Sequence, residues 1–526
     1  MRLSLATVQS LKNAATKSTT GSRKAVMEFP SYNPKELKPG ILHVGVGNFH
    51  RSHMAAYMND LFNTSSSNKN HSWGIIGTGV MPQEHDKRNM LEQQDWLQTL
   101  VELDGNKGTT KASILASMID FTPVDYNNER GHIDFYNQLL NNDIKIVSLT
   151  VTEGGYFMDN DGNLDLSNVK IQHDIANPTM PCTVFGLVCK ALMQRKAEGR
   201  PPFTVLSCDN IPHNGRVTQN IVSELSYQMF GSELQEWIVT HGAFPNSMVD
   251  RITPAASKEI SEMIEEMFGY QDTAPVLCEP FRQWVLEDKF VNGERPDWDR
   301  LETVSVVDDV APYENMKIRI LNGGHASLCY PAALLGLKFV HEAITHPTIG
   351  PFMNTLERKE IIPTLPPVPN TNLIEYWNII ASRFANPTLQ DTITRICFDG
   401  FNRQPKFIVP VAKDALMNAK LSGDTDAGVV DGVALVSAMW CRYCQGTTEA
   451  GQAIGPNDPE WETLARAANK AKMEPTAWLD ALPQVYGSVG HDPVFRAAFV
   501  NASNAIQRKG VEQAMQDFTE ANVSKT

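Results

Sequence analysis

The chain has 526 residues, 42% of them hydrophobic and 20% charged, with a formal net charge of −14. That length exceeds a single compact core and calls for two or three domains. An excess of 60 acidic over 46 basic side chains argues against a nucleic-acid or anionic-membrane partner, because no broad cationic surface is available to neutralise phosphates. No apolar run is long enough to span a bilayer.

Residues 1–39 read as an N-terminal arm. Met1 to Met27 carries five basic residues and no acidic ones, a composition shared with organellar transit peptides, although a cytoplasmic location is the expectation. The eight scattered cysteines suit a reducing compartment. Trp440-Cys441-Arg-Tyr-Cys444 has a redox-like spacing but ends an apolar helical run and lacks a second pair, so it reads as structural.

Residues 40–303 read as an α/β, Rossmann-type dinucleotide-binding domain. Ile41-Leu-His-Val44 is a short buried strand, followed by Gly45-Val46-Gly47-Asn48-Phe49-His50-Arg51 and a helical pattern through Ala55, Met58 and Leu61. Glycines 45 and 47 would let the backbone turn tightly and approach a pyrophosphate, while His50 stands where a third glycine is usual. A second strand, Trp73-Gly-Ile75-Ile76-Gly77, runs toward Glu84 and Asp86, either of which would hold a ribose diol and favour NAD. Lys87 and Arg88 nearby would admit NADP, the less favoured cofactor. Two further strands end at Glu153-Gly-Gly-Tyr156 and Asp209-Asn210. Ligands bind beyond the carboxyl ends of parallel strands, so Glu153 and Asn210 fall where contacts are expected. Asp209-Asn210 also reads as an Asx turn capping a helix.

Residues 304–526 read as a mainly α-helical substrate and catalytic domain, with helices over 319–337, 372–384, 428–444, 459–472 and 493–517. Lys317-Ile-Arg-Ile-Leu-Asn322-Gly-Gly-His325 opens it. On an α-helix Asn322 lies about 140° and His325 about 80° around the axis from Lys317, so one sector can face one site. Apolar neighbours would desolvate the lysine and favour its neutral, basic form, while an amide can hold a substrate oxygen. The plain alternative is a surface lysine followed by a capping Asn-Gly-Gly turn.

Four blocks stand in one order: Gly45-x-Gly47-x-Phe49-His50-Arg51-x-His53, Thr150-Val-Thr-Glu153-Gly-Gly-Tyr156, Cys208-Asp-Asn210-x-x-x-Asn214-Gly215 and Lys317-x-x-x-x-Asn322-x-x-His325. In this the chain resembles the polyol-specific long-chain dehydrogenase/reductase (mannitol 2-dehydrogenase) family over essentially its whole length. The resemblance implies a metal-independent, nicotinamide-dependent oxidoreductase of open-chain polyols and ketoses. It assigns Lys317 as general acid/base, Asn210 and Asn322 as the grip on the reacting oxygen, and His325 as a substrate-positioning residue. Glu153 would exchange protons with solvent and Asp250 would support the site. Arg395, ahead of Arg403, would contact substrate hydroxyls.

No compact set of catalytic zinc ligands is evident, and no metal is expected. Mannitol/fructose is the first substrate pair and arabinitol/xylulose the second. A hexuronate (fructuronate or tagaturonate) reductase is the alternative within the family, for which Arg319 or Arg395 would have to receive a carboxylate. A catalytically silent nucleotide-binding protein is the alternative outside it. A monomer or small homo-oligomer is expected.

Overall fold

The computed structural model describes residues 1–15, 25–64, 68–79, 84–105, 107–122, 129–159, 162–254, 258–423 and 428–523. The chain divides into two compact units, Met1–Ala311 and Pro312–Thr526.

The strands of the first unit are β1 (Ala25–Glu28), β2 (Pro39–Val44), β3 (Gly74–Thr78), β4 (Gln98–Asp104), β5 (Thr109–Leu115) and β6 (Met118–Thr122). They continue with β7 (Ile146–Leu149), β8 (Thr204–Ser207), β9 (Ser247–Asp250), β10 (Val276–Cys278), β11 (Gln283–Glu287) and β12 (Val304–Val307). Five of them form a sheet in the order β6-β3-β2-β7-β8, parallel at every pairing. This is the Rossmann-type sheet expected between residues 40 and 303.

A parallel sheet is covered on both faces, so its strands must be apolar on both. Here successive residues alternate between two cores. Leu42, Val44, Val147 and Leu149 pack with Phe185 and Leu225 on one side. Ile41, Ile75, Ile146 and Leu206 pack with Tyr57 and Leu61 on the other. Two smaller sheets, β1-β5-β4-β10 and β12-β11-β9, complete the unit. The antiparallel β4/β5 pairing was not foreseen, and nor was the burial of the N-terminus. Leu3 and Val8 pack against Val101, Ile260 and Ile264, and β1 joins β5. Burying such side chains is worth about 1.5–3 kcal/mol each, so residues 1–15 are built into the unit and do not stand off as an arm. Residues 16–24 of the transit-like stretch lie outside the described residues.

The second unit is helical, as expected. Helices Leu373–Phe384, Asp431–Tyr443 and Trp461–Ala471 fall within the anticipated spans. The last helix, Pro493–Val523, runs further than anticipated and breaks at Gly510, which has φ 83°. Glu360 accepts the N–H groups of Gly432 and Val433 at 2.6 and 2.9 Å and so caps the helix that begins at Asp431. Cys441 and Cys444 are buried free thiols, and burial pushes both thiols up.

Candidate active site

The strands of the parallel sheet end together. Val44 is level with Thr78 on one side and Leu149 on the other, and Leu149 is level with Ser207. One further bond extends each ladder. The N–H of Gly45 donates to the Thr78 carbonyl, that of Thr150 to Val44 and that of Cys208 to Leu149, each at 2.9 Å. The Gly45 turn, Glu153 and Asn210 therefore leave from one edge of the sheet. The strand order reverses there, between β2 and β7, and open α/β sheets bind ligands at such a point.

The side chains expected to face a cofactor divide at this edge. Val46, His50 and Arg51 are turned inward, at 0, 1 and 3% exposure, whereas Gly47, Asn48 and Phe49 are half-exposed. Arg51 donates to the Ala274 carbonyl at 2.5 Å and to Asn48 Oδ1 at 2.7 Å, bracing the turn from beneath. His50 stacks on His43 with ring centroids 3.4 Å apart. His43 bonds Ser148 Oγ through Nδ1 at 2.8 Å, and burial pushes its pKa down to about 3, so it is a neutral platform.

The two glycines differ in kind. Gly45 has φ 94°, and a Cβ there would overlap the Thr150 carbonyl oxygen, so the fold itself excludes a side chain. At Gly47 a Cβ would meet only the Gly45 oxygen, 3.9 Å away. The space beside Gly47 is open to a ligand; that beside Gly45 is filled by protein.

Residues 80–83, after β3, lie outside the described residues, while Gly79 and Glu84 on either side are described. The Glu84 carboxylate lies against Gly79, where a Cβ would overlap it. Glu84 is half-buried and Asp86 exposed, so Glu84 is the acid at the strand end. Lys87 is held below its ordinary value by burial and by the Arg51 charge, opposed by Glu84.

Asp209 emerges as a residue whose role the sequence reading understated. It is 8% exposed. Its Oδ1 accepts the Thr152 N–H at 2.8 Å, and its Oδ2 accepts the Val151 N–H at 3.1 Å and the Tyr156 hydroxyl at 2.8 Å. Burial pushes this carboxyl up, opposed by those three bonds, while the Glu153 charge adds to the rise. Thr152 stands at φ 62°, ψ 168°, a region nearly reserved for glycine that costs about 1–3 kcal/mol. Hydrogen bonds to a charged group return about 1.5–3 kcal/mol each, enough to hold it. The only signal in the sequence was an acid directly before Asn210 at a strand end.

In the second unit the lysine segment departs from the expected α-helix. Ala311–Met316 and Gly323–Leu334 are α-helical, but Lys317–Asn322 between them is a π-helical turn. The Gly323 N–H reaches back to the Ile318 carbonyl, five residues earlier. Wider turns of this kind occur frequently at functional sites, and they bring residues five apart, such as Lys317 and Asn322, closer to one face than an α-helix does.

Lys317 is 7% exposed and His325 8%. Gly323 and Gly324 are helical, so the surface-lysine and capping-turn alternative does not describe this segment. His325 stacks on Phe384 at 4.1 Å, and burial pushes its pKa down to about 3. Glu314, one turn before Lys317 and 7% exposed, was missed by the sequence reading.

Arg395 is exposed and gives Nε and Nη2 to the Asp391 carboxylate at 2.8 and 2.6 Å. Arg403 is half-buried, donates to the Ile396 carbonyl, and lies over the Phe407 ring. Arg319 donates to Asp414 at 2.6 Å. Asp250 ends β9 at 5% exposure, outside the five-stranded sheet, and its charge acts on His53. Next to it the buried Arg251 pairs with Glu102. Among the described residues, His173, Asp174 and Cys182 bring donor atoms within 4.8 Å of one another. Asp174 there already accepts the N–H groups of Cys182 and Thr183 and the Thr183 hydroxyl, at 2.5, 3.2 and 2.5 Å.

A Rossmann-type sheet with its loops gathered at one edge, followed by a helical unit with a buried lysine on a π turn, is the build of a long-chain dehydrogenase. The chain belongs to the mannitol dehydrogenase family. The family's Rossmann domain matches residues 39–300 and its C-terminal domain residues 309–507. A mannitol 2-dehydrogenase of Cereibacter sphaeroides is 45% identical over 94% of this chain and 98% of its own. That of Pyrenophora tritici-repentis is 36% identical over 91% of this chain and 82% of its own. Among solved structures, the Pseudomonas fluorescens mannitol 2-dehydrogenase in ternary complex with NAD and D-mannitol is 36% identical. It covers 99% of this chain and 100% of its own, with a TM-score of 0.78. A D-sorbitol dehydrogenase in substrate-free form is 29% identical over 98% and 100%, with a TM-score of 0.83.

Proposed function

We propose that this chain is an NAD-dependent polyol 2-dehydrogenase, with mannitol and fructose as its first substrate pair and arabinitol and xylulose as its second. The observation that carries the reading is Lys317, buried on a π turn with Asn322 five residues on, in a chain 45% identical to a mannitol 2-dehydrogenase. The dinucleotide fits the first unit. Gly47 leaves room for a pyrophosphate, Asn48 and Phe49 are open beside it, and Glu84 is set at the end of β3 for a ribose diol. When bound, the nicotinamide supplies the hydride acceptor.

The chain's own residues handle the proton and the oxygen. Lys317 takes the hydroxyl proton of the polyol and returns it in the reverse direction. The amides of Asn210 and Asn322 donate to the reacting oxygen as its charge grows. His325, neutral at working pH, orients the neighbouring hydroxyl, with Arg395 preferred over Arg403 for more distant ones. Glu153 exchanges the lysine's proton with solvent, and Asp250 supports the arrangement. A hexuronate is disfavoured, because Arg319 and Arg395 already face Asp414 and Asp391.

The test follows absorbance of the reduced nicotinamide with mannitol, arabinitol, sorbitol, fructose and fructuronate, each with NAD and NADP, and with a chelator present. Turnover of mannitol with NAD, undiminished by chelation and reversed with fructose, is expected. Preference for fructuronate, or zinc-reversible loss of activity, would overturn the assignment. Glu84→Gln should narrow the preference for NAD over NADP.

A further inference from the structure

Asp209 takes no part in the chemistry above, yet it ties the ends of β7 and β8 together. Its carboxylate accepts from the backbone of Val151 and Thr152, the two residues before Glu153. Its carbonyl accepts from Asn214 Nδ2 at 3.0 Å. Asn214 is in turn held to Ser247 of β9, donating to its carbonyl at 2.8 Å and accepting its N–H at 2.9 Å. Asn210 follows directly. One buried residue thus braces the backbone carrying two of the groups assigned to the reaction.

We propose that Asp209 is a positioning residue. Its carboxylate holds Thr152 in a left-handed conformation that presents Glu153, and its backbone, latched through Asn214, fixes the turn that presents Asn210. The proposal rests on the roles given to Glu153 and Asn210.

The chemistry requires a carboxylate. Two backbone N–H groups and a phenol converge on it, all donors. An ionised acid offers acceptor sites on both oxygens and brings no proton of its own to compete with those donors. A carboxamide of the same shape would turn an NH2 toward one of those donors and release part of the segment. Once released, Thr152 has every reason to leave φ 62°, because a β-branched residue is disfavoured there. Glycine at the same position carries no such penalty.

The experiment compares Asp209→Asn, Thr152→Gly and the double variant in the full-length enzyme, measuring NAD affinity and the kcat and KM of mannitol oxidation. Asp209→Asn should lower kcat by about 100-fold, the scale of a small misplacement of a reacting group, with NAD affinity nearly unchanged. Thr152→Gly in that background should restore about tenfold, which replacement of a merely space-filling acid would not produce. Asp209→Asn should also cost less when Glu153 is already Gln, because the part of its effect that runs through Glu153 is then already lost, while the part through Asn210 remains. Should Asp209→Asn fail to fold, Thr152→Gly must restore folding as well as turnover. Absence of any rescue, or full additivity with Glu153→Gln, overturns the proposal. Failure of the parent reading shows separately, as wild-type turnover in both Glu153→Gln and Asn210→Ala.

Discussion

At the scale of single residues, the proposed chemistry turns on Lys317. A base that takes the hydroxyl proton must itself be neutral, so oxidation should rise with pH as Lys317 loses its proton and reduction should favour lower pH. His325 does not set that limb. Its pKa is pushed down to about 3 by burial, so it stays neutral across the working range. Lys317→Ala should lower oxidation at least about 100-fold, the lower scale for a lost general acid/base, with NAD affinity little changed. Lys317→Met keeps the stem and removes the amine. If both variants kept near-wild-type turnover and the same pH dependence, the lysine mechanism would be wrong. A small primary amine should partly restore the alanine variant.

At the scale of elements, what could be read from the sequence followed from how local its cause was. The parallel strands were legible because burial on both faces forces apolar runs such as Ile-Leu-His-Val and Ile-Val-Ser-Leu. The turn after β2 was legible from its glycines. The π turn was not, because one wider turn leaves the apolar spacing of Lys317 to His325 unchanged. The inward side chains of His50 and Arg51 were not legible either, because what draws them in, His43 and Ala274, comes from other elements. Asp209 looked like a local cap because its partners, Val151, Thr152 and Tyr156, lie more than fifty residues earlier. The two glycines of the turn now carry different expectations. Gly45→Ala should lower the thermal midpoint, since φ 94° and the Thr150 carbonyl oppose any side chain. Gly47→Val should leave the midpoint nearly unchanged and weaken NAD binding by about tenfold or more, roughly 1.4 kcal/mol. Equal loss of stability in both variants, or unchanged affinity in folded Gly47→Val, would remove the distinction.

At the scale of the whole molecule, stability carries a pH signature written by buried acids of the helical unit. Glu360 is 4% exposed, and burial raises its pKa from 4.5 to about 8, although the N–H groups of Gly432 and Val433 oppose the rise. Glu357 is fully buried, neither of its carboxyl oxygens has a hydrogen-bond partner among the described residues, and burial pushes its pKa well up. For Glu360 the unfolded chain releases its proton near pH 4.5, while the folded chain keeps it until about pH 8. Between those values the folded state binds more protons, so unfolding free energy falls as pH rises. The contribution is fully present below pH 4.5 and is lost as pH climbs through about 8. The thermal midpoint of the wild type should therefore decline across that window beyond what the other titrating groups produce. Glu360→Gln has no proton to release, keeps an oxygen for one of the two N–H groups, and should show a shallower decline. Thermal unfolding of both proteins at a series of pH values in one ionic strength measures the difference in slope. Parallel curves would mean that Glu360 is ionised in the folded chain, held so by the two N–H groups it caps.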